Sequence, residues 1–229
     1  VGKLPATEGG GADVGKFDKW IVKDFLARGT LLIIGASKGS GKSSFLYRLC
    51  QAVEEGVLFM GQLPTTKGRC LILQADEPQQ HAEIKLLRMD LQRVSFEIRY
   101  IEKDRHYDLL MSEITSGKWD MIGGDSISTL LASKDNRFTE IGFEDEIYRL
   151  TKACGDNRVA LLLTHHLNQP EDKQLRREVT EYDFMGVSTI LNACGDCWSM
   201  CKIPDEPRGK PLWPHHVVLR CHGKRFCEE

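Results

Sequence analysis

Several features that would assign a chain to a broad class are missing from these 229 residues. The chain has no run of 18 or more apolar residues, so no membrane span is expected. Its first residues are rich in glycine and weakly apolar, unlike a secretory signal peptide. The formal net charge is only −2, so the overall charge does not indicate nucleic-acid binding. Any such binding would have to use local basic clusters.

The chain has eight cysteines but no secretory signal, which favours reduced thiols in a cytoplasm over a disulfide framework. Cys194, Cys197 and Cys201 have a spacing that suits zinc or an iron–sulfur cluster, with Cys221 or Cys227 as a fourth ligand. Cysteine is also a good small core residue. Because Cys197 and Cys201 would share one face of a strand, we favour the core interpretation.

Apolar runs typical of strands alternate with helical patterns along most of the chain. The predicted strands are Thr30–Ala36, Arg69–Ala75, Phe96–Glu102, Trp119–Asp125 and Arg158–His166, with two more at Cys197–Ile203 and His216–His222. The predicted helices are Lys42–Glu54, Glu77–Arg93, Tyr107–Ser116 and Phe143–Cys154. This order predicts an α/β fold with a mainly parallel central sheet flanked by helices and antiparallel strands near the C-terminal end. Residues 1–15 are interpreted as a flexible lead-in or the cut edge of a larger protein, and residues 16–229 as one domain.

Residues 36–43 read Ala-Ser-Lys-Gly-Ser-Gly-Lys-Ser, which fits the Walker A phosphate loop with alanine at its first position. Gly39 and Gly41 allow backbone N–H groups to surround phosphate oxygens at a helix N-terminus. Lys42 would reach the β and γ phosphates, and the Ser43 hydroxyl would ligate magnesium. The predicted nucleotide-binding residues are Ser37, Lys38, Gly39, Ser40, Gly41, Lys42, Ser43 and Ser44. The sequence therefore predicts a site for ATP with magnesium.

Asp125 ends an apolar run and is followed by Ser126, which is the usual context of a Walker B aspartate. Such an aspartate orients magnesium through water, although a strand-end aspartate can also simply cap a turn. Gly123 and Gly124 stand where bulky aliphatic residues are expected. Glycine there either weakens a buried strand or marks a close backbone approach.

Two more strand ends carry polar residues, Leu-Gln-Ala-Asp-Glu-Pro at 73–78 and Leu-Thr-His-His-Leu-Asn at 163–168. With the two Walker motifs in this order, the chain resembles RecA-like ATPases of the RepA group of hexameric plasmid helicases. These are relatives of the DnaB-type replicative helicases. The resemblance extends roughly from Phe17 to Arg225 and implies a RecA-like fold.

The resemblance also implies roles for particular residues. It places the catalytic carboxylate at Asp76, with Glu77 as the alternative, although both acids could instead cap the following helix. It places a sensor of the γ-phosphate at His166, with His165 as second choice. We expect the carboxylate to accept a proton from the attacking water or to orient that water.

A ring assembly follows from the same resemblance. The segment around Lys224 and Arg225 resembles a hairpin that reaches the nucleotide of a neighbouring subunit, which implies a hexameric homo-oligomer. A solvated basic turn is the alternative. Single-stranded DNA would meet basic loop residues, namely Lys134, Arg137, Lys173, Arg176 and Arg177. The leading hypothesis is therefore a ring motor on single-stranded DNA, and the alternative is an ATP-dependent assembly or regulatory switch that unwinds nothing.

Overall fold

The computed structural model describes residues 19–37, 39–91, 94–101, 106–131, 140–167, 194, 196–202 and 217–222. The strands are β1 Trp20–Val22, β2 Leu26–Ala27, β3 Leu31–Ala36, β4 Cys70–Gln74, β5 Glu97–Tyr100, β6 Met121–Asp125, β7 Ala160–His166, β8 Asp196–Lys202 and β9 Val217–Cys221. The helices are α1 Lys42–Glu55, α2 Gln79–Arg88, α3 His106–Thr115, α4 Ile127–Leu130 and α5 Glu140–Asn157. None of these helices is both long and apolar enough to span a membrane.

Seven strands form the central sheet in the order β5-β4-β6-β7-β3-β8-β9. All neighbouring pairs are parallel except β8 and β9, which are antiparallel. The predicted α/β fold with a mainly parallel sheet and C-terminal antiparallel strands is therefore confirmed. The register aligns Gln74 with Asp125 and Ala36 with His166, so the carboxyl ends of β3, β4, β6 and β7 meet at one edge.

Helices cover both faces of this sheet, which explains the near-continuous apolar strands. Along β3, Leu32 and Ile34 belong to the core on the face covered by α1, whereas Leu31 and Ile33 belong to the core on the face covered by α3 and α5. All four side chains are fully buried or nearly so. β3, an interior strand of the sheet, thus holds the phosphate loop on a rigid base.

Helix α2 differs most from its predicted bounds. It begins at Gln79 rather than at Glu77, and it ends at Arg88 instead of continuing to Arg93. Its end has a physical cause, because Asp90 adopts a left-handed conformation with φ 57°. The amide of Leu91 then donates to the carbonyl of Leu86 at 2.8 Å, which closes a Schellman-type cap. The β1–β2 hairpin and helix α4 were not predicted, and α5 extends beyond its predicted bounds at both ends.

The two glycines of β6 are explained by their neighbours. A Cβ atom at Gly123 would lie 2.6 Å from Cδ1 of Leu46 in α1, and one at Gly124 would lie 2.5 Å from Cδ2 of Leu163 in β7. Leu130 of α4 also lies against Gly124. All three leucines are completely buried. Glycine here therefore marks a close approach, made by leucine side chains from three elements and not by backbone.

We predict that Gly124→Ala lowers the free energy of unfolding by about 1–3 kcal/mol, because its methyl group overpacks the buried leucines. A matched control is Gly155→Ala in α5, where the added Cβ meets only the carbonyl oxygen of Gly29 at 3.8 Å. Alanine is favoured over glycine within a helix, so this variant should be neutral or stabilising by up to about 1 kcal/mol. Urea unfolding measures both variants, and an equal effect of the two would contradict the packing explanation.

Candidate active site

The phosphate loop connects β3 to α1 at the carboxyl edge of the sheet. Gly39 and Gly41 have φ values of +77° and +93°, in the region that favours glycine. The Ser40 hydroxyl donates to the carbonyl of Ser37 at 2.7 Å and closes the turn. Gly41 is the N-cap of α1 and has no side chain to cap the first amides. The start of α1 therefore presents its positive end to an anion.

Lys42 is buried directly behind this turn. Its ammonium donates to the carbonyls of Ala36 at 3.1 Å and Ser37 at 3.2 Å, and it lies 3.3 Å from Nδ1 of His166. Burial lowers the pKa of Lys42 below its ordinary value, although Asp125 and Asp76 nearby act in the opposite direction. A buried ammonium held mainly by neutral carbonyls gains strongly from an added anion.

Asp125 ends β6 and is 3% exposed. Its Oδ2 accepts a hydrogen bond from the Ser43 hydroxyl at 2.5 Å and from the Gln74 amide at 3.3 Å, while Oδ1 accepts from Thr164 at 2.6 Å. The peptide bond from Asp125 to Ser126 is cis. Ser43 and Asp125 thus place two oxygen atoms side by side. Magnesium takes few protein oxygens together with water and phosphate, so this pair fits it.

Asp76 and His166 form the connection between two strand ends. Nε2 of His166 lies 2.9 Å from Oδ2 of Asp76, and its other ring nitrogen faces Lys42. The hydroxyls of Ser126, at 2.9 Å, and Thr129 donate to Oδ1 of Asp76. Burial alone would raise the pKa of Asp76, but the hydrogen bonds from Thr129, His166 and Ser126 outweigh it and the pKa is lowered. Asp76 is therefore a carboxylate held ionised and fixed in place.

Glu77, the alternative base, lies in different surroundings. Its carboxylate pairs with Lys85 of α2, with the ammonium 2.6 Å from Oε2 and 2.8 Å from Oε1. The same ammonium lies 3.4 Å from the Ser43 hydroxyl. In this arrangement Asp76, and not Glu77, contacts the predicted sensor His166.

His165 lies on the opposite side of β7 from the site residues, because successive strand residues face opposite ways. It is 4% exposed. Burial, together with the charges of His166 and Lys42, lowers its pKa to about 4. His165 is thus a neutral core histidine, whereas His166, 44% exposed at its side chain, faces the open site.

A cleft of about 860 Å³ adjoins the outer side of the phosphate loop. One end is lined by Gly39, Ser40, Gly41 and Ser44 of the loop and helix start. The remainder is largely apolar and is lined by Phe45, Phe59, Met60, Met89, Met200 and Leu219 among others. A cleft with a polar end at the loop and an apolar remainder has the character of a small-molecule site.

Several predicted residues cannot be placed. Lys38 of the loop, the basic residues Lys134, Arg137, Lys173, Arg176 and Arg177, and the hairpin residues Lys224 and Arg225 lie outside the described residues. Of the cysteines, Cys194 and Cys197 are buried in the core on the α5 side of the sheet. Within the described residues no group of three or more His, Cys, Asp or Glu side chains is arranged to hold a metal ion.

Sequence reasoning missed several partners of the predicted residues. Gln74 and Thr164 could have been noticed, since each is a polar residue at the end of an apolar strand run. Lys85 had no such signal, because a lysine in an amphipathic helix usually belongs to a solvated face. Thr129 belongs to the short helix α4, which was not predicted.

One known family matches this chain. A family model described as an AAA domain matches residues 16–172, which include the phosphate loop, Asp76, Asp125 and His166. A search of curated proteins found no match.

The buried His165 should make stability depend on pH. Its pKa in the folded protein lies below the ordinary 6.5, so the unfolded chain binds a proton that the folded chain does not. The contribution of neutral His165 to the free energy of unfolding is therefore fully present above about pH 6.5, and it is lost as the pH decreases toward about 4. The lowered pKa of Asp76 acts only at still lower pH, near and below the ordinary carboxyl range.

We predict that the unfolding free energy of the wild type falls by about 2 kcal/mol more than that of His165→Gln between about pH 7.5 and about pH 5. Urea unfolding at both pH values measures this difference. His166→Gln, at the exposed neighbouring position, serves as the control. Parallel losses in the wild type and His165→Gln would show that His165 is not buried in its neutral form.

Proposed function

This chain belongs to the AAA domain family of P-loop ATPases, and from that premise we propose that it hydrolyses ATP with magnesium and moves on single-stranded DNA as a ring of identical subunits. The observation that carries the hydrolytic part is the contact series from Lys42 through His166 to Asp76. It joins the lysine of the phosphate loop to the candidate carboxylate through a single side chain.

Nucleotide binding is supported by the loop and the cleft together. The phosphates would lie at the start of α1, where Lys42 supplies positive charge, and the nucleoside would extend into the apolar cleft beside Ser44. Ser43 and Asp125 would hold magnesium, which would neutralise charge on the β and γ phosphates. A buried lysine and a helix N-terminus on the same anion are the usual basis of phosphate binding in such loops.

Asp76 is our choice for the residue that positions the attacking water. Its lowered pKa makes it a poor proton acceptor, so its contribution is orientation more than proton removal. Hydrogen bonds from Ser126, Thr129 and His166 hold the carboxylate in one place. When Lys42 engages a γ-phosphate, its contact with His166 changes, and His166 would transmit that change to Asp76.

The ring and the DNA substrate are supported by the sequence resemblance. Lys224 or Arg225 of one subunit would stabilise the phosphate charge at the site of its neighbour, a contribution of roughly 10³–10⁵ in rate in related chemistry. Lys134, Arg137, Lys173, Arg176 and Arg177 would contact the DNA backbone. The polar segments 132–138 and 168–181 come after β6 and β7 in the sequence. Their basic residues would contact the DNA strand beyond the carboxyl edge of the sheet.

The regulatory switch is the second candidate, and one observation favours it. A carboxylate with a lowered pKa and three hydrogen-bond donors is a weak base, which suits slow hydrolysis. A slow ATPase can hold two assembly states for a long time without moving on a polymer.

One experiment separates the two candidates. ATP turnover is measured at several protein concentrations with and without single-stranded DNA, beside Lys42→Ala, which should abolish turnover because it removes the buried phosphate-binding ammonium. A ring motor predicts a turnover per subunit that rises with both concentration and DNA. Turnover that rises with neither would contradict the motor and leave the switch.

A second prediction assigns the water-positioning carboxylate. Asp76→Asn should lower the single-turnover rate of hydrolysis by about 100-fold or more, because the amide cannot orient water as the carboxylate does. Glu77→Gln should lower it by less than about tenfold. Nucleotide affinity, measured in parallel, should change little in either variant. If Glu77→Gln has the larger effect on rate, Glu77 is the catalytic residue.

A further inference from the structure

Lys85 reaches the candidate site from a helix that the motifs do not include. It lies in the second half of α2, and helical side chains lean toward the N-terminus of their own helix. That end of α2 follows β4 at the carboxyl edge of the sheet, so the lean directs the ammonium to the site. The side chain is 39% exposed and borders the open site.

The ammonium of Lys85 lies between an acid and a hydroxyl. It pairs with Glu77 at 2.6 Å and lies 3.4 Å from the Ser43 hydroxyl. Its charge also acts on Lys42, the other lysine of the site. The pKa of Lys42 is lowered mainly by burial and further by Lys85, against the opposing charges of Asp125 and Asp76. The two ammonium groups, one at the start of α1 and one on α2, repel each other, and a phosphate chain that contacts both would offset that repulsion.

Lys85 and a magnesium ion would compete for the hydroxyl oxygen of Ser43. The Ser43 hydroxyl donates to Asp125, so its lone pairs are directed elsewhere, and Lys85 lies within reach of one of them. A magnesium ion held by Ser43 would bind the same oxygen. A dication and an ammonium on one oxygen repel strongly, so binding of one disfavours the other.

We propose that Lys85 is a second cation of the nucleotide site, which contacts the phosphate chain and competes with magnesium at Ser43. Lys85 supports nucleotide binding when magnesium is scarce, and when the metal binds it moves away from Ser43 and stays paired with Glu77. This inference rests on the proposed binding of ATP with magnesium at this site.

The test is the affinity for fluorescent mant-ADP, measured in excess magnesium and in excess EDTA. Lys85→Gln should weaken binding about tenfold in EDTA, the loss expected for one charged hydrogen bond, and by less than about threefold in magnesium. The ratio of the affinity in magnesium to the affinity in EDTA therefore rises. Arg88→Gln removes the same charge from an exposed position on α2 and should leave the ratio unchanged.

A double variant distinguishes direct contact from neutralisation of Glu77. In Lys85→Gln with Glu77→Gln, the raised ratio should persist. A ratio restored to the wild-type value would overturn the proposal, because Lys85 would then act only as the counter-ion of Glu77. A ratio unchanged in Lys85→Gln would overturn it as well. A wild type that binds nucleotide in neither buffer would instead overturn the proposed function together with this inference. The pair is partly exposed and contributes little to stability, so each variant is expected to fold.

Discussion

The candidate site depends first on one buried carboxylate. Asp125 is 3% exposed, and a carboxylate so placed is tolerable only when hydrogen bonds satisfy its oxygens. Its three donors come from three different elements: Ser43 from α1, Gln74 from β4 and Thr164 from β7. The backbone carbonyl of the same residue accepts the amide of Asp76 at 3.1 Å. The side chain of Asp125 thus sets the position of Ser43, a predicted magnesium ligand. Its main chain sets the position of Asp76, the predicted catalytic carboxylate.

The parallel register adds a second constraint, which links the phosphate loop to Asp76. Because His166 is aligned with Ala36 across β7 and β3, its ring reaches Lys42 of the loop. The other ring nitrogen reaches Asp76 from the end of β4. His166 of β7 thereby joins the loop after the neighbouring strand β3 to the end of β4, which lies two positions from β7 on the other side. The contact with Lys42 and the contact with Asp76 therefore belong to one imidazole.

The sequence predicted most of this fold because the informative patterns are local. Apolar runs bounded by glycine and polar residues located the five main strands, and the spacing of Gly39, Gly41 and Lys42 located the loop. The missed parts depend on contacts between distant residues. A two-residue strand such as β2 has no periodicity, and α2 ends early because of the left-handed Asp90. The position of Lys85 beside Ser43 follows from how α2 packs, and α2 has an ordinary amphipathic sequence.

Departures from a family pattern are best judged in three dimensions. The pattern expects bulky side chains before Asp125, and the space that they would fill is occupied by leucines from neighbouring elements. The physical requirement is a filled core, and Gly123 and Gly124 satisfy it through Leu46 and Leu163. The same reasoning applies to Asp76, whose side chain is one methylene shorter than that of a glutamate. The shorter side chain reaches less far, yet two hydroxyls and an imidazole hold it, so it would lose little further conformational entropy in the proposed role of orienting a water molecule.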